Sequence, residues 1–271
     1  MFLHKMKIFG LLMRLGAVVC FLLLVNSNTH AQNQELRIAA AADLKFAMQE
    51  LADQFAKQSS TKISVTYGSS GNFFTQLQNG APFDLFFSAD VDYPKKLEAA
   101  GLTIPDSLFT YAVGRLVIWM PPDPKLDLAK RGWSILLDPL VRKIAIANPE
   151  HAPYGRAAVA ALQKAQIYQQ VQFKLVLGEN ISQAAQFVQS GNAQAGIIAF
   201  SLAIAPPMKV GQRFEIPSSM YPRLEQAAVI LKDAQNQKAA TAFLDFVKSS
   251  AGQAILAKYG FTNSNSTVPV S

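Results

Sequence analysis

Cysteine is almost absent from this sequence. The 271 residues contain one, Cys20, which lies inside an apolar run near the N-terminus. The residue before it, Val19, is not the small residue that a lipoprotein signal requires. If the N-terminal segment is removed, the mature chain has no cysteine, so disulfides and thiol chemistry are excluded.

Histidine is nearly as scarce, and this removes most enzyme classes. Beyond the N-terminal segment only His151 remains, so histidine clusters for a metal or for a catalytic triad are excluded. We interpret His151 as a loop histidine close to two prolines. The stretch Gly68-Ser69-Ser70-Gly71 is not the Gly-x-Ser-x-Gly nucleophile pattern, and no dinucleotide-binding or Walker pattern is present. An exported enzyme stays an alternative, but no catalytic group can be assembled for it.

Acidic residues are few, and their one cluster does not indicate a metal site. Asp84, Asp90 and Asp92 lie close together in the sequence but do not have the spacing of a calcium-binding loop. We interpret Asp84 as the start of a strand and the other two as loop and helix-start carboxylates. No cofactor is expected.

The first 31 residues are typical of a secretory signal peptide. Lys5, Lys7 and Arg14 precede an apolar run over residues 15–25, and cleavage is predicted after Thr29-His30-Ala31. The run is shorter than the roughly 20 apolar residues of a membrane-spanning helix. We therefore expect a protein that is exported to the periplasm and soluble there.

The charge of the mature chain is mildly positive. Removal of the signal peptide lowers the Lys and Arg count from 25 to 22 against 18 Asp and Glu, so the formal net charge falls from +7 to +4. This excess suits an anionic ligand. It is too diffuse to indicate nucleic acid binding.

Short apolar strands alternate with amphipathic helices along the mature chain. Strands are predicted at residues 36–40, 62–67, 83–87, 116–120, 143–147, 174–177, 196–200 and 227–231, and the longer helices at 43–57, 154–166, 181–189, 238–249 and 252–258. Such alternation predicts an α/β fold with largely parallel sheets covered on both faces. We expect two lobes with the ligand in the cleft between them. Residues 32–113 and 226–271 would form a discontinuous first lobe, and residues 114–225 the second.

One local pattern recurs at four places: a strand leads through small residues directly into a helix. It occurs at Ala42-Asp43, Ser69-Ser70-Gly71, Pro153-Tyr154-Gly155 and Asn180-Ile181. A helix start has unpaired N–H groups and a partial positive charge, and in α/β lobes such turns lie at the binding edge. Two facing lobes would bring these uncharged donors around one small dianion. Because every α/β protein has such turns, the pattern alone does not establish an anion site.

Several segments resemble the periplasmic molybdate-binding proteins of ABC transporters, the ModA family. They are residues 39–48, 68–71, 81–90, 148–155 and 258–261, and the most specific are Asp-Leu-Phe-Phe-Ser-Ala-Asp at 84–90 and Pro-Glu-His-Ala-Pro at 149–153. The resemblance spans the mature chain. It implies a type II periplasmic binding fold that closes on molybdate or tungstate and delivers it to an ABC permease in the inner membrane. We expect a monomer that acts without a cofactor and is not an enzyme. Another oxyanion or a small organic anion is the alternative ligand.

The resemblance also implies which residues contact the ligand. Ser70 matches a serine that donates its hydroxyl and amide, whereas Tyr154 and Ile181 match positions that offer a backbone N–H. Ala42 and Asp43 occupy the first helix start of the family's site. These groups would hold the oxygen atoms of the anion, with no direct bond to its metal.

Two positions depart from the family's pattern. Asp43 stands where many members have serine, and Ala199 stands where many have a ligand tyrosine. A carboxylate beside a dianion in a poorly solvated cleft is strongly repulsive. We therefore predict that Asp43 turns away and caps its helix, which leaves nearby N–H groups for the ligand. Arg156, in the first turn after Tyr154, is interpreted as a solvated charge, and a charge-assisted bond to the anion is the alternative.

Overall fold

The computed structural model describes residues 35–263. The predicted signal peptide lies outside these residues. Within them, the chain forms two five-stranded sheets, each with helices packed against it. None of the helices in this range has the length and apolar character that a membrane crossing requires.

The first sheet has the strand order β2-β1-β3-β10-β4, and its elements are called lobe 1. Its strands are β1 (Leu36–Ala41), β2 (Ile63–Gly68), β3 (Leu85–Ser88), β4 (Phe109–Gly114) and β10 (Leu224–Ile230). Its longer helices are α1 (Lys45–Ala56), α2 (Ser70–Gln78), α3 (Asp92–Ala99), α9 (Gln237–Lys248) and α10 (Ser250–Lys258). The short 3-10 turn Ala42–Leu44 precedes α1.

The second sheet has the order β7-β6-β8-β5-β9, and its elements are called lobe 2. Its strands are β5 (Leu116–Met120), β6 (Ile144–Ala147), β7 (Leu175–Gly178), β8 (Ala195–Ala199) and β9 (Gln212–Glu215). Its helices are α4 (Leu128–Arg131), α5 (Pro153–Lys164), α6 (Tyr168–Val171), α7 (Ile181–Gln189) and α8 (Phe200–Ala203). Further 3-10 turns lie at Gly132–Leu137, Gln172–Lys174 and Ser218–Met220.

The two sheets share one pairing pattern. In lobe 1, β1 is parallel to β2 and β3, whereas β10 is antiparallel to β3 and β4. In lobe 2, β6 is parallel to β7 and β8, whereas β5 is antiparallel to β8 and β9. The prediction of largely parallel sheets is therefore wrong for half of these pairings.

The antiparallel strands are those by which the chain enters each lobe from the other. The chain passes from β4 to β5 through Arg115 alone, and returns between Glu215 and Leu224. A strand that enters at the edge where the parallel strands end must run in the opposite direction. Two crossings of this kind explain why β5 and β10 are reversed.

Apolar faces of the helices bury both sides of the first sheet. From α1, Met48, Leu51 and Phe55 pack into the core on one face, where the Phe55 and Phe243 rings meet edge to face at 5.3 Å. On the opposite face, Phe73 of α2 packs near Phe86 of β3. In lobe 2 the three central strands β6, β8 and β5 are buried over their whole length, whereas the edge strands β7 and β9 are partly exposed. These cores hold rigid the strand ends that form the site.

Candidate functional site

A small pocket lies where the carboxyl ends of the parallel strands from both sheets meet. It is lined from lobe 1 by Ala41, Ala42, Asp43, Gly68, Ser69, Ser70 and Ala89, and from lobe 2 by Ala152, Pro153, Tyr154 and Ile181. Its volume is about 10 Å³, which is close to the minimum that one water-sized group needs. All five predicted binding residues line this pocket, namely Ala42, Asp43, Ser70, Tyr154 and Ile181.

Three α-helices begin at the pocket, and their caps leave the first amides unpaired. Ser69 accepts a hydrogen bond from the amide of Asn72, and Asn180 accepts from the amides two and three residues on. Within the described chain, no hydrogen bond is formed by the amides of Ser70, Tyr154 or Ile181. These N–H groups are the orphan donors of three helix starts.

Ser70 adds a hydroxyl donor to these amides. Its Oγ accepts a hydrogen bond of 2.9 Å from the amide of Ala89, which fixes the side chain at the pocket wall. Because that bond uses only a lone pair of the oxygen, the hydroxyl hydrogen is available to a ligand. Ser70 is buried, so this donor is shielded from bulk water.

The carboxylate of Asp43 does not cap a helix, and the prediction that it does is wrong. Oδ2 accepts hydrogen bonds from the Tyr154 hydroxyl at 2.9 Å and from Nε2 of Gln226 at 2.6 Å. Ala41, rather than Asp43, is the N-cap of the 3-10 turn, so Asp43 is already two residues past the position from which a side chain reaches the first-turn amides. Oδ1 has no hydrogen-bond partner among residues 35–263.

Gln226 links this carboxylate to further phenols and was missed by the sequence analysis. It is fully buried at the start of β10, and its Oε1 accepts a hydrogen bond of 2.8 Å from Tyr111. Its Nε2 also lies 3.2 Å from the hydroxyl of Tyr154. A polar residue beside an otherwise apolar strand was the only signal for it in the sequence.

Gly114 makes room for this network. A Cβ atom at that position would lie 2.2 Å from the hydroxyl oxygen of Tyr154 and 2.7 Å from Nε2 of Gln226. The last residue of β4 must therefore lack a side chain.

Burial controls the protonation of these groups. It raises the pKa of Asp43 from 3.8 to about 6, although the hydrogen bonds from Gln226 and Tyr154 act to lower it. The amides of Asp43 and Leu44 lower it further by proximity, without hydrogen-bond geometry to the side chain. Burial, together with the negative charge of Asp43, raises the pKa of Tyr154 well above its usual value. The phenol therefore stays protonated and donates.

Several contacts join the lobes around the pocket. The carbonyl oxygen of His151 accepts a hydrogen bond of 2.9 Å from the Gly71 amide. Nδ1 of the His151 ring lies 2.8 Å from Oγ of Ser69. Farther out, Nδ2 of Asn72 donates to Glu179 at 2.8 Å. These bonds hold the start of α2 in lobe 1 against the segments that precede α5 and α7 in lobe 2.

Arg156 is not a free solvated charge. Its guanidinium forms an ion pair of 2.6 Å with Asp90 of lobe 1 and contacts the hydroxyl of Tyr93. It does not line the pocket. Its role in the structure is a bridge between the lobes beside the site.

The other singled-out positions have structural roles. Ala199 ends β8 and is buried without lining the pocket, and Ser201 just after it donates to the backbone carbonyl of Asp43 at 2.8 Å. Asp84 accepts from the amides of Arg37 and Gln235. In the described range, no group of three or more His, Cys, Asp or Glu residues could hold a metal ion.

Comparison with known proteins gives one consistent family. The model for bacterial extracellular solute-binding proteins matches residues 36–262. The molybdate-binding protein ModA of Rhodobacter capsulatus is 38% identical over 227 residues, which cover 84% of this chain and 88% of that protein. ModA of Azotobacter vinelandii is 38% identical over 232 residues, which cover 85% of this chain and 91% of that protein.

The fold agrees with this result. The solved periplasmic molybdate-binding protein of Azotobacter vinelandii matches with a TM-score of 0.79 and 33% identity, over 84% of this chain and 99% of that one. The predicted two-lobed α/β binding-protein fold is thus confirmed. The chain belongs to the bacterial extracellular solute-binding proteins and, among them, to the ModA family.

Proposed function

We propose that this protein captures molybdate, or tungstate as its near equal, in the pocket between the lobes. The observation that carries the proposal is the convergence of uncharged donors. The amides of Ser70, Tyr154 and Ile181 and the hydroxyl of Ser70 meet from both lobes at one buried point. A tetrahedral oxyanion that only accepts hydrogen bonds suits such a set of donors.

The size of the pocket and the names of the relatives narrow the ligand further. The small volume of the pocket, about 10 Å³, argues against a large organic solute. The relatives from Rhodobacter capsulatus and Azotobacter vinelandii are both described as molybdate-binding. Because these relatives are described as molybdate-binding, we expect molybdate to be preferred over sulfate.

The protein would act as the exported, periplasmic component of a transporter. We propose that residues 32–113 with 226–271 and residues 114–225 form the two lobes, which close on the anion as a monomer. The closed protein would then deliver its ligand to an ABC permease in the inner membrane. It would be a carrier and not an enzyme, and it would need no cofactor.

Calorimetry of the mature protein with molybdate, tungstate, sulfate and phosphate tests the proposal. We expect tight binding of the first two only, with a matching rise in melting temperature. Equal affinity for sulfate would contradict the proposed selection. Absence of binding to any of the four would contradict the function.

Ser70→Ala tests the site itself. Loss of a hydrogen bond to a charged ligand costs about 1.5–3 kcal/mol, so Kd should rise roughly 10- to 100-fold. Ser190→Ala, at an exposed helix end, is the matched control and should bind as the parent does. Because Ser70 also accepts from Ala89, thermal unfolding without ligand must show that the variant is folded. Unchanged affinity would place the anion elsewhere.

A further inference from the structure

We propose that the carboxyl group of Asp43 binds the anion as a neutral acid, so that one proton enters the site with each anion. This inference rests on the proposed function. It assigns a specific role to the residue at which the sequence departs most from its family.

The two carboxyl oxygens of Asp43 have different surroundings. Oδ2 is occupied by two donors, the hydroxyl of Tyr154 and Nε2 of Gln226. Oδ1 is buried, and nothing in the described part of the chain bonds to it. A proton on this carboxyl group therefore belongs on Oδ1, because Oδ2 already accepts twice. Since Asp43 lines the pocket, Oδ1 is the atom left for a ligand.

Among residues 35–263, the side chains bonded to the Asp43 carboxyl group carry no positive charge that would favour its ionised form beside an anion. The titratable groups that face Asp43 are the phenols of Tyr154 on α5 and Tyr111 on β4. From β10 and α8, Gln226 and Ser201 contribute only uncharged groups. An ionised carboxylate would repel a dianion directly, whereas a neutral one would donate a hydrogen bond to it.

Burial already favours the neutral form before any anion binds. It raises the pKa of Asp43 to about 6, and an adjacent anion acts in the same direction. Above pH 6 the free protein must take up a proton in order to bind, whereas well below pH 6 it already carries that proton. Affinity should therefore be constant at low pH and fall about tenfold per pH unit above pH 6.

Calorimetry with sodium molybdate between pH 5.5 and 8.5, in pairs of buffers with different ionisation heats, measures this uptake. We expect the parent to take up close to one proton per molybdate at pH 7.5. Asp43→Asn is always neutral and can place an N–H donor where the acid would donate. It should bind molybdate with no proton uptake by the protein and with an affinity that does not change over this pH range.

The ring of His151 also lies beside the pocket, but it faces Ser69 rather than Asp43. His151→Gln should therefore keep the proton uptake of the parent. Loss of uptake in this variant, or its persistence in Asp43→Asn, would overturn the proposal.

Two further results separate this inference from the proposed function. Tight molybdate binding by the parent without proton uptake would refute the role of Asp43 and leave the proposed function standing. A folded Asp43→Asn protein that no longer binds molybdate would do the same. Failure of the parent to bind molybdate at any pH would refute the function as well. If Asp43→Asn does not fold, the proton count of the parent still decides the question.

Discussion

Asp43 should make the ligand-free protein less stable at neutral pH than at mildly acidic pH. Its pKa rises from 3.8 to about 6 on folding, so the folded state holds a proton more tightly than the unfolded chain. Stability from this group is complete below pH 3.8 and is lost as pH rises to 6. At about 1.4 kcal/mol per pH unit, the cost above pH 6 is about 3 kcal/mol.

Asp43→Asn replaces the buried charge with a neutral side chain, so the stability of this variant measures the cost of burying that charge. Without ligand, the variant should gain up to about 3 kcal/mol in free energy of unfolding at pH 7.5. At pH 5 the gain should be about 1.4 kcal/mol smaller, because part of the cost has already been relieved by protonation. The weaker hydrogen bonds that a neutral amide accepts from Tyr154 and Gln226 lower the gain at both pH values equally.

Urea denaturation of the mature protein at both pH values measures the difference. The comparison between pH 7.5 and pH 5 is the decisive quantity, because effects that do not involve titration cancel in it. Asp233→Asn, at an exposed acid of lobe 1, should show no gain at either pH. A stability change in Asp43→Asn that is the same at pH 7.5 and pH 5 would refute the assignment of the buried charge.

Three further variants test the surroundings of the pocket. Tyr154→Phe removes a donor to Asp43, so the pH above which molybdate affinity falls should move higher, as titration calorimetry across pH would show; an unmoved profile contradicts the coupling. Gly114→Ala places a Cβ atom 2.2 Å from the Tyr154 hydroxyl, so both melting temperature and molybdate affinity should drop, and a parent-like melting curve would count against this packing. Asp90→Asn breaks the partly exposed ion pair with Arg156, so unfolding free energy should fall by no more than about 1 kcal/mol while stopped-flow measurements show faster molybdate release.

Local sequence chemistry was enough to predict the elements around the pocket. The helix predicted at residues 181–189 is α7 (Ile181–Gln189), because Asn180 is a strong cap and the apolar residues after it keep helical spacing. Strand-to-helix turns also brought Ser70 and Tyr154 to one pocket, since parallel strands end at a common edge. These features depend on neighbouring residues and on the direction of the strands.

Features that depend on tertiary structure were predicted less well. The sequence pattern does not predict the strand β4 (Phe109–Gly114) or the antiparallel direction of β10. The prediction that Asp43 caps its helix is wrong, because the partners of its carboxylate, Tyr154 and Gln226, lie 111 and 183 residues away in the sequence. No local pattern can show that a carboxylate will find donors so distant in the chain.

The contact between Gly71 and His151 also sets a mechanical limit on the protein. A Cβ atom at position 71 would lie 2.5 Å from the carbonyl oxygen of His151 and 2.8 Å from the hydroxyl of Tyr93. Glycine, whose side chain is a single hydrogen, is therefore the one residue that allows the two lobes to approach this closely at position 71. Any side chain there would hold the two lobes apart. The donors of the pocket would keep their places on their own lobes, but they would no longer converge on one ligand.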